Sequence, residues 1–111
     1  MTTEIEKEAH KYFKLFSTRN LDGLKELFDK DVTLRDWNIN ARGLKNVLDE
    51  NKKIFEAVKE LNVSVQSIFS RGKTVVAELE IIVDEMEYIK VVDILEFNER
   101  QKIISIKAFK G

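Results

Sequence analysis

At 111 residues, of which 43% are hydrophobic with seven Phe, two Tyr and one Trp, the chain is sized for one core and is too apolar to be intrinsically disordered. Its 19 Lys and Arg against 20 Asp and Glu leave a net charge of -1, without the basic surplus of a nucleic-acid binder. The lack of cysteine excludes disulfides, thiolate nucleophiles and zinc-thiolate sites. The acidic first ten residues carry no apolar run of a secretion signal, and no apolar stretch is long enough to cross a bilayer. The expectation is a single domain over residues 1–111, in the cytoplasm, with no membrane partner.

Thr3 and Glu6 fit a capping box, and Ile5, Ala9, Tyr12, Phe13 and Phe16 then recur at helical spacing, which predicts a first helix over 3–18. Asn20 can cap a shorter second helix whose apolar face is Leu21, Leu24, Leu27 and Phe28. The alternation from Val32 to Trp37 reads as a short strand with Val32, Leu34 and Asp36 on one face. After a polar loop through Gly43, the stripe Leu44, Val47, Leu48, Phe55, Val58 and Leu61 predicts a long third helix ending near Asn62. From Val63 onward the period changes to two, predicting strands over 63–69, 74–83, 88–97 and 103–109 separated by short polar turns suited to antiparallel hairpins. Helices first and a strand meander last make an α+β fold, three helices packed on one face of a curved, mainly antiparallel sheet.

Val76, Ile82, Val92 and Ile94 fall on the opposite strand faces from those assigned to the helices. An apolar outer face on so small a chain predicts a homodimer through the sheet.

Three polar residues sit on apolar faces of separate elements. Asp93 alternates with Ile89, Val91, Leu95 and Phe97, so a regular strand directs its carboxyl inward, where desolvation favours the protonated form. Tyr12 lies on the first helix's buried stripe and its hydroxyl needs a partner. Asp36 shares a face with Val32 and Leu34 but stands at a strand end, where an Asp also serves as a turn residue. Structural roles remain open for each: a core tyrosine, a turn aspartate, a buried aspartate satisfied by a backbone donor. Their convergence between helices and sheet marks a candidate active site.

Tyr12 followed by Asn20-Leu-Asp-Gly23 and Leu27-Phe28, the segment Asp31-Val-Thr-Leu-Arg-Asp36, and Val92-Asp93-Ile-Leu-Glu-Phe-Asn98 with Lys102-Ile-Ile-Ser-Ile-Lys-Ala108 give the chain its family likeness. Over nearly its whole length it resembles the ketosteroid isomerase branch of the nuclear transport factor two-like superfamily, which also contains the SnoaL-like polyketide cyclases. The resemblance implies a cone-like fold with a deep pocket, Asp36 in the position of the general base, and Tyr12 and Asp93 in those of two oxyanion donors. It implies a double-bond isomerase that works without a cofactor: the base removes a proton beside a carbonyl, and a neutral carboxylic acid and a phenol stabilise the dienolate. Trp37 after the base and the short loops at 38–42 and 84–87 depart from the steroid enzymes, which points to a smaller or differently shaped pocket.

The inward faces nominate Phe16, Phe55, Leu79, Ile81, Leu95, Ile106 and Ala108 as apolar contacts for a small apolar molecule, with Trp37 near the mouth. His10 falls outside the buried stripe, and no spacing suggests a metal site. Two other functions fit the same residues: a SnoaL-like cyclase or dehydratase with another substrate, and a noncatalytic ligand-binding or dimerisation module.

Overall fold

In the computed structural model, which describes residues 3–111, helix α1 (Glu4–Ser17) starts at an N-cap, with Thr3 Oγ1 accepting from Glu6 N at 3.2 Å. The reciprocal half of the capping box is not made, because the Glu6 carboxylate accepts from the Ser70 hydroxyl across on the sheet. Met1 and Thr2, which the single-domain expectation includes, lie outside the described residues. Asn20 caps α2 (Leu21–Leu27) through Gly23 N at 2.9 Å.

Strand β1 (Phe28–Arg35) follows with no loop, so Phe28, expected on the helix face, is the strand's first residue. Phe28 is buried there all the same, packed 6.0 Å from the Tyr12 ring. The segment expected to be only a polar loop contains a short strand, β2 (Asn40–Arg42), paired antiparallel with β1. Gly43, at φ +87°, then turns the chain into α3 (Leu44–Ala57), and its N–H donates to Val32 O at 2.8 Å. The third helix stops about five residues short of the expectation. Val58 and Leu61 continue the apolar stripe, but Val58 is extended and Leu61 opens β3 (Leu61–Arg71), where it remains buried.

Strands β4 (Thr74–Val83), β5 (Glu87–Phe97) and β6 (Ile103–Lys110) complete an antiparallel meander with β3. Because β6 returns beside β1 in parallel, the sheet is mixed, with strand order β2-β1-β6-β5-β4-β3, and it is not closed. A register shift between Val65 and Ser67 and irregularities at the ends of β5 and in β1 bend it around the helices. Asp84 sets the β4–β5 turn at φ +53° and also clamps the segment after α3. Its Oδ1 accepts from Lys59 N at 2.7 Å and Glu60 N at 2.8 Å, and these donors lower its pKa.

Helix α1 lies over β3 and β4, and α3 lies over β1 and β2. Between them and the sheet, Leu24, Val32, Val47, Val75, Leu79, Leu95, Ile103 and Ile106 form the most enclosed layer of the core. No helix among the described residues is long and apolar enough to cross a membrane.

Candidate active site

Asp93 stands in the middle of β5 in unbroken register, opposite Ala77 on β4 and Ala108 on β6. Strand alternation turns its side chain toward the helices, and the two alanine neighbours leave space around the carboxyl. The residue is 7% exposed, and no protein group hydrogen-bonds its carboxyl among the described residues. Burial, followed by the negative charge of Asp36, raises its pKa from 3.8 to about 7.

Tyr12 comes from α1, one turn before Phe16, with its ring packed 5.3 Å from Phe13 and 6.0 Å from both Phe16 and Phe28. The aromatic cluster fixes the ring, and the hydroxyl takes no partner from the described protein groups. Burial and then the charges of Asp93 and Asp36 push its pKa well above the usual value for tyrosine, so the phenol is held as a neutral donor.

Asp36 immediately follows β1, and its Oδ1 accepts from Asn38 N at 2.7 Å and Ile39 N at 2.6 Å. Its own N–H donates to Ile39 O at 2.9 Å, closing the connection to β2. The turn role and the cavity position are therefore both occupied by one residue. The turn fixes one carboxylate oxygen, and Oδ2 takes no hydrogen bond from the described residues.

All three line one cavity of about 260 Å³, bounded by α1, α3, the 36–39 loop and strands β1 and β3 to β6. Its volume lies just below the roughly 300–1,000 Å³ typical of small-molecule pockets. Of the expected apolar contacts, Phe16, Leu79, Ile81, Ile106 and Ala108 form part of its wall, and Trp37, 44% exposed, stands at the rim with Lys110 Nζ 5.8 Å from its ring centroid. Phe55 and Leu95 do not reach the cavity. Phe55 is buried edge-on against Phe16 at 5.0 Å, supporting the wall from behind, and Leu95 is closed in between Val75 and Ile106 on neighbouring strands.

The structure adds wall residues that the sequence reading passed over, chiefly Phe13, Ile39 and, from α3, Ile54 and Asn51. Asn51 had a readable signal: it lies four residues from both Val47 and Phe55, a polar residue on the buried stripe. Ile39 had none, since it follows a strand end in a loop without periodicity. Among the described residues no group of three or more His, Asp or Glu is placed to hold a metal ion.

The same architecture recurs in solved structures of low sequence identity. A proposed SnoaL-like polyketide cyclase from Shewanella denitrificans superposes with a TM-score of 0.87 at 16% identity, covering 96% of this chain and 90% of that one. A proposed ketosteroid isomerase from Kribbella flavida gives 0.84 at 17% identity, covering 96% and 77%. An epoxide hydrolase from M. tuberculosis gives 0.83 at 14% identity, covering 99% and 84%. These likenesses establish the fold, which supports several chemistries. No curated protein sequence gives a match. The SnoaL-like domain profile matches residues 9–106, nearly the whole chain, with Tyr12, Asp36 and Asp93 inside the match. The chain therefore belongs to the SnoaL-like domain family.

Proposed function

We propose that this protein is a cofactor-independent isomerase that moves a double bond in a small apolar ketone. The observation that carries the reading is the unequal treatment of two aspartates in one apolar cavity. Asp93 is buried without donors and is protonated up to about pH 7, whereas Asp36 has one oxygen held by two backbone N–H groups and the other free. Asp36 Oδ2 takes a proton from the carbon beside the substrate carbonyl, the C–H electron pair becomes a C=C bond, and the carbonyl π pair moves onto oxygen. Tyr12 and protonated Asp93 donate to that oxygen, where charge develops, in a cavity with a mostly apolar wall. Asp36 then returns the proton to the far end of the dienolate, giving the conjugated enone and regenerating the carboxylate. No oxidant or reductant enters this balance.

The cavity's modest volume favours monocyclic and bicyclic ketones over a full steroid skeleton. The test is ultraviolet detection of the conjugated enone formed from cyclohex-3-enone, a bicyclic β,γ-enone and a β,γ-unsaturated ketosteroid, with wild type compared to Asp36→Asn. Turnover lost in the variant supports the mechanism. No turnover of any of them by folded wild type contradicts it and favours a cyclase or dehydratase acting elsewhere, or a binding module.

A second copy of this chain is the proposed partner of the outer sheet face. Phe69, Val76 and Ile94 form one cross-strand row there, and Val92 and Phe109 pair beside it; Phe69 is 66% exposed and Phe109 56%. Charged residues surround this row: Glu78 and Glu80 on β4, Lys107 and Arg35 on β6 and β1, Arg71 on β3, and Lys90 and Glu96 on β5. Sedimentation equilibrium tests this: wild type should be a dimer and Phe69→Asp with Phe109→Asp a monomer, and a monomeric wild type refutes it.

A further inference from the structure

Asn51 is 1% exposed, and its Oδ1 is enclosed with no hydrogen-bond partner, alone in this among the buried side-chain nitrogens and oxygens of the described residues. It shares the buried stripe of α3 with Val47 and Phe55 and forms part of the cavity wall. An unpaired buried acceptor is costly, and asparagine is a weaker helix former than leucine at a mid-helix position. Among the described residues no hydrogen bond engages Oδ1. Asn51 lines the cavity while its Oδ1 is closed off behind the wall, so a rotation of the amide about its last bond is what brings that unfilled acceptor to a molecule in the cavity.

We infer that Asn51 is a specificity-determining anchor, selecting ligands that carry a hydroxyl in addition to the carbonyl. This rests on the reading of the cavity as a ketone site. A ligand carbonyl or ether has no hydrogen to give Oδ1, and an ammonium group would have to shed its water against a mostly apolar wall. A hydroxyl both donates and accepts, so it satisfies the amide in either orientation of its oxygen and nitrogen. Tyr12 and Asp93 on one side and Asn51 on α3 then hold a small molecule at two polar points with apolar contact between them.

Two readouts test this. The first uses 2-naphthol, whose hydroxyl mimics the enolate oxygen, against the 1,6-, 2,6- and 2,7-dihydroxynaphthalenes, with binding followed by naphthol fluorescence. Wild type should bind at least one dihydroxynaphthalene about 10-fold more tightly than 2-naphthol, and Asn51→Leu and Asn51→Ala should each cut that ratio to about twofold or less. No such preference in wild type, or a preference that survives both substitutions, overturns the inference. Tyr12→Phe and Asp93→Asn separate the underlying reading: if 2-naphthol binding ignores both, the oxyanion-donor assignment fails, while the dihydroxynaphthalene ratio still reports on Asn51. Failure of every naphthol to bind wild type refutes both.

The second readout needs no ligand. Replacing an unsatisfied amide by leucine, a larger apolar side chain of the same branching whose extra volume the adjoining cavity can take, should raise the thermal midpoint of the free protein by roughly 2–5 °C. An unchanged or lowered midpoint means that Asn51 is already satisfied by enclosed water or serves the fold, and it contradicts a role reserved for ligand.

Discussion

The end of β1 and the middle of β5 each deliver an aspartate to the same cavity, and they treat it in opposite ways. At the end of β1 the chain turns, and the turn's own N–H groups from Asn38 and Ile39 are free to donate to Asp36. In the middle of β5 every backbone N–H is committed to the ladder with β4 and β6, so none is left for Asp93. A carboxylate at a turn finds donors locally, whereas one inside a regular strand must lose its charge or find a donor elsewhere. Under the proposed mechanism, two copies of one side chain thereby serve as a base and an acid without any difference in covalent structure.

The largest expected effect comes from removing the turn aspartate. Asp36→Asn keeps the Asx-type oxygen that accepts from Asn38 and Ile39 while abolishing the base, so turnover of a β,γ-enone should fall roughly 100- to 10,000-fold with the circular dichroism spectrum unchanged. A loss below about 10-fold would take Asp36 out of proton transfer. Tyr12→Phe leaves the aromatic cluster with Phe13, Phe16 and Phe28 intact and deletes one donor, with an expected slowing on the order of 10- to 1,000-fold in kcat; an unchanged kcat removes Tyr12 from the mechanism.

Asp93→Asn substitutes a permanently neutral donor, so its kinetic cost should be smaller, about 10-fold, and its main signature lies in pH dependence. With a pKa raised from 3.8 to about 7, the folded chain holds a proton that the unfolded chain has released. Stability conferred by this residue is thus greatest at low pH, declines as pH rises from about 4 to 7, and is level above that. Denaturant titrations should show wild type losing stability relative to Asp93→Asn across this interval by roughly 1.4 kcal/mol per pH unit at most, with the variant the more stable at pH 8. Parallel curves for the two proteins would mean that Asp93 is not neutral in the folded state. In turnover, the same titration predicts that activity declines as pH passes above 7 in wild type, and that Asp93→Asn lacks this limb.

The inward position of Asp93 was legible because four apolar neighbours at period two, Ile89, Val91, Leu95 and Phe97, fix the register of β5 with no bulge at the aspartate. Tyr12 was legible for the analogous reason on a helix. The boundaries around α3 were not: Leu61 satisfies both the helical stripe and the strand alternation, and only the sheet partner Val83 decides between them. Strand β2 is three residues long, too short to show a period, and it exists because β1 offers it an edge. Phe55 and Asn51 share one stripe, yet Phe55 is stacked behind Phe16 while Asn51 meets the cavity; that distinction depends on how α1 and α3 converge, which no single-helix pattern contains. The parallel pairing of β1 with β6 likewise arises from the chain's return path and not from either strand's composition.

The central claim, that one cavity holds a protonated aspartate as a donor beside a second aspartate as a base, is tested most directly by carbon-detected NMR titration of the Asp93 side-chain carboxyl in wild type and in Asp36→Asn. The account predicts a midpoint near 7 in wild type that moves downward when the charge of Asp36 is removed. A midpoint near 4 in wild type, insensitive to Asp36, would contradict it.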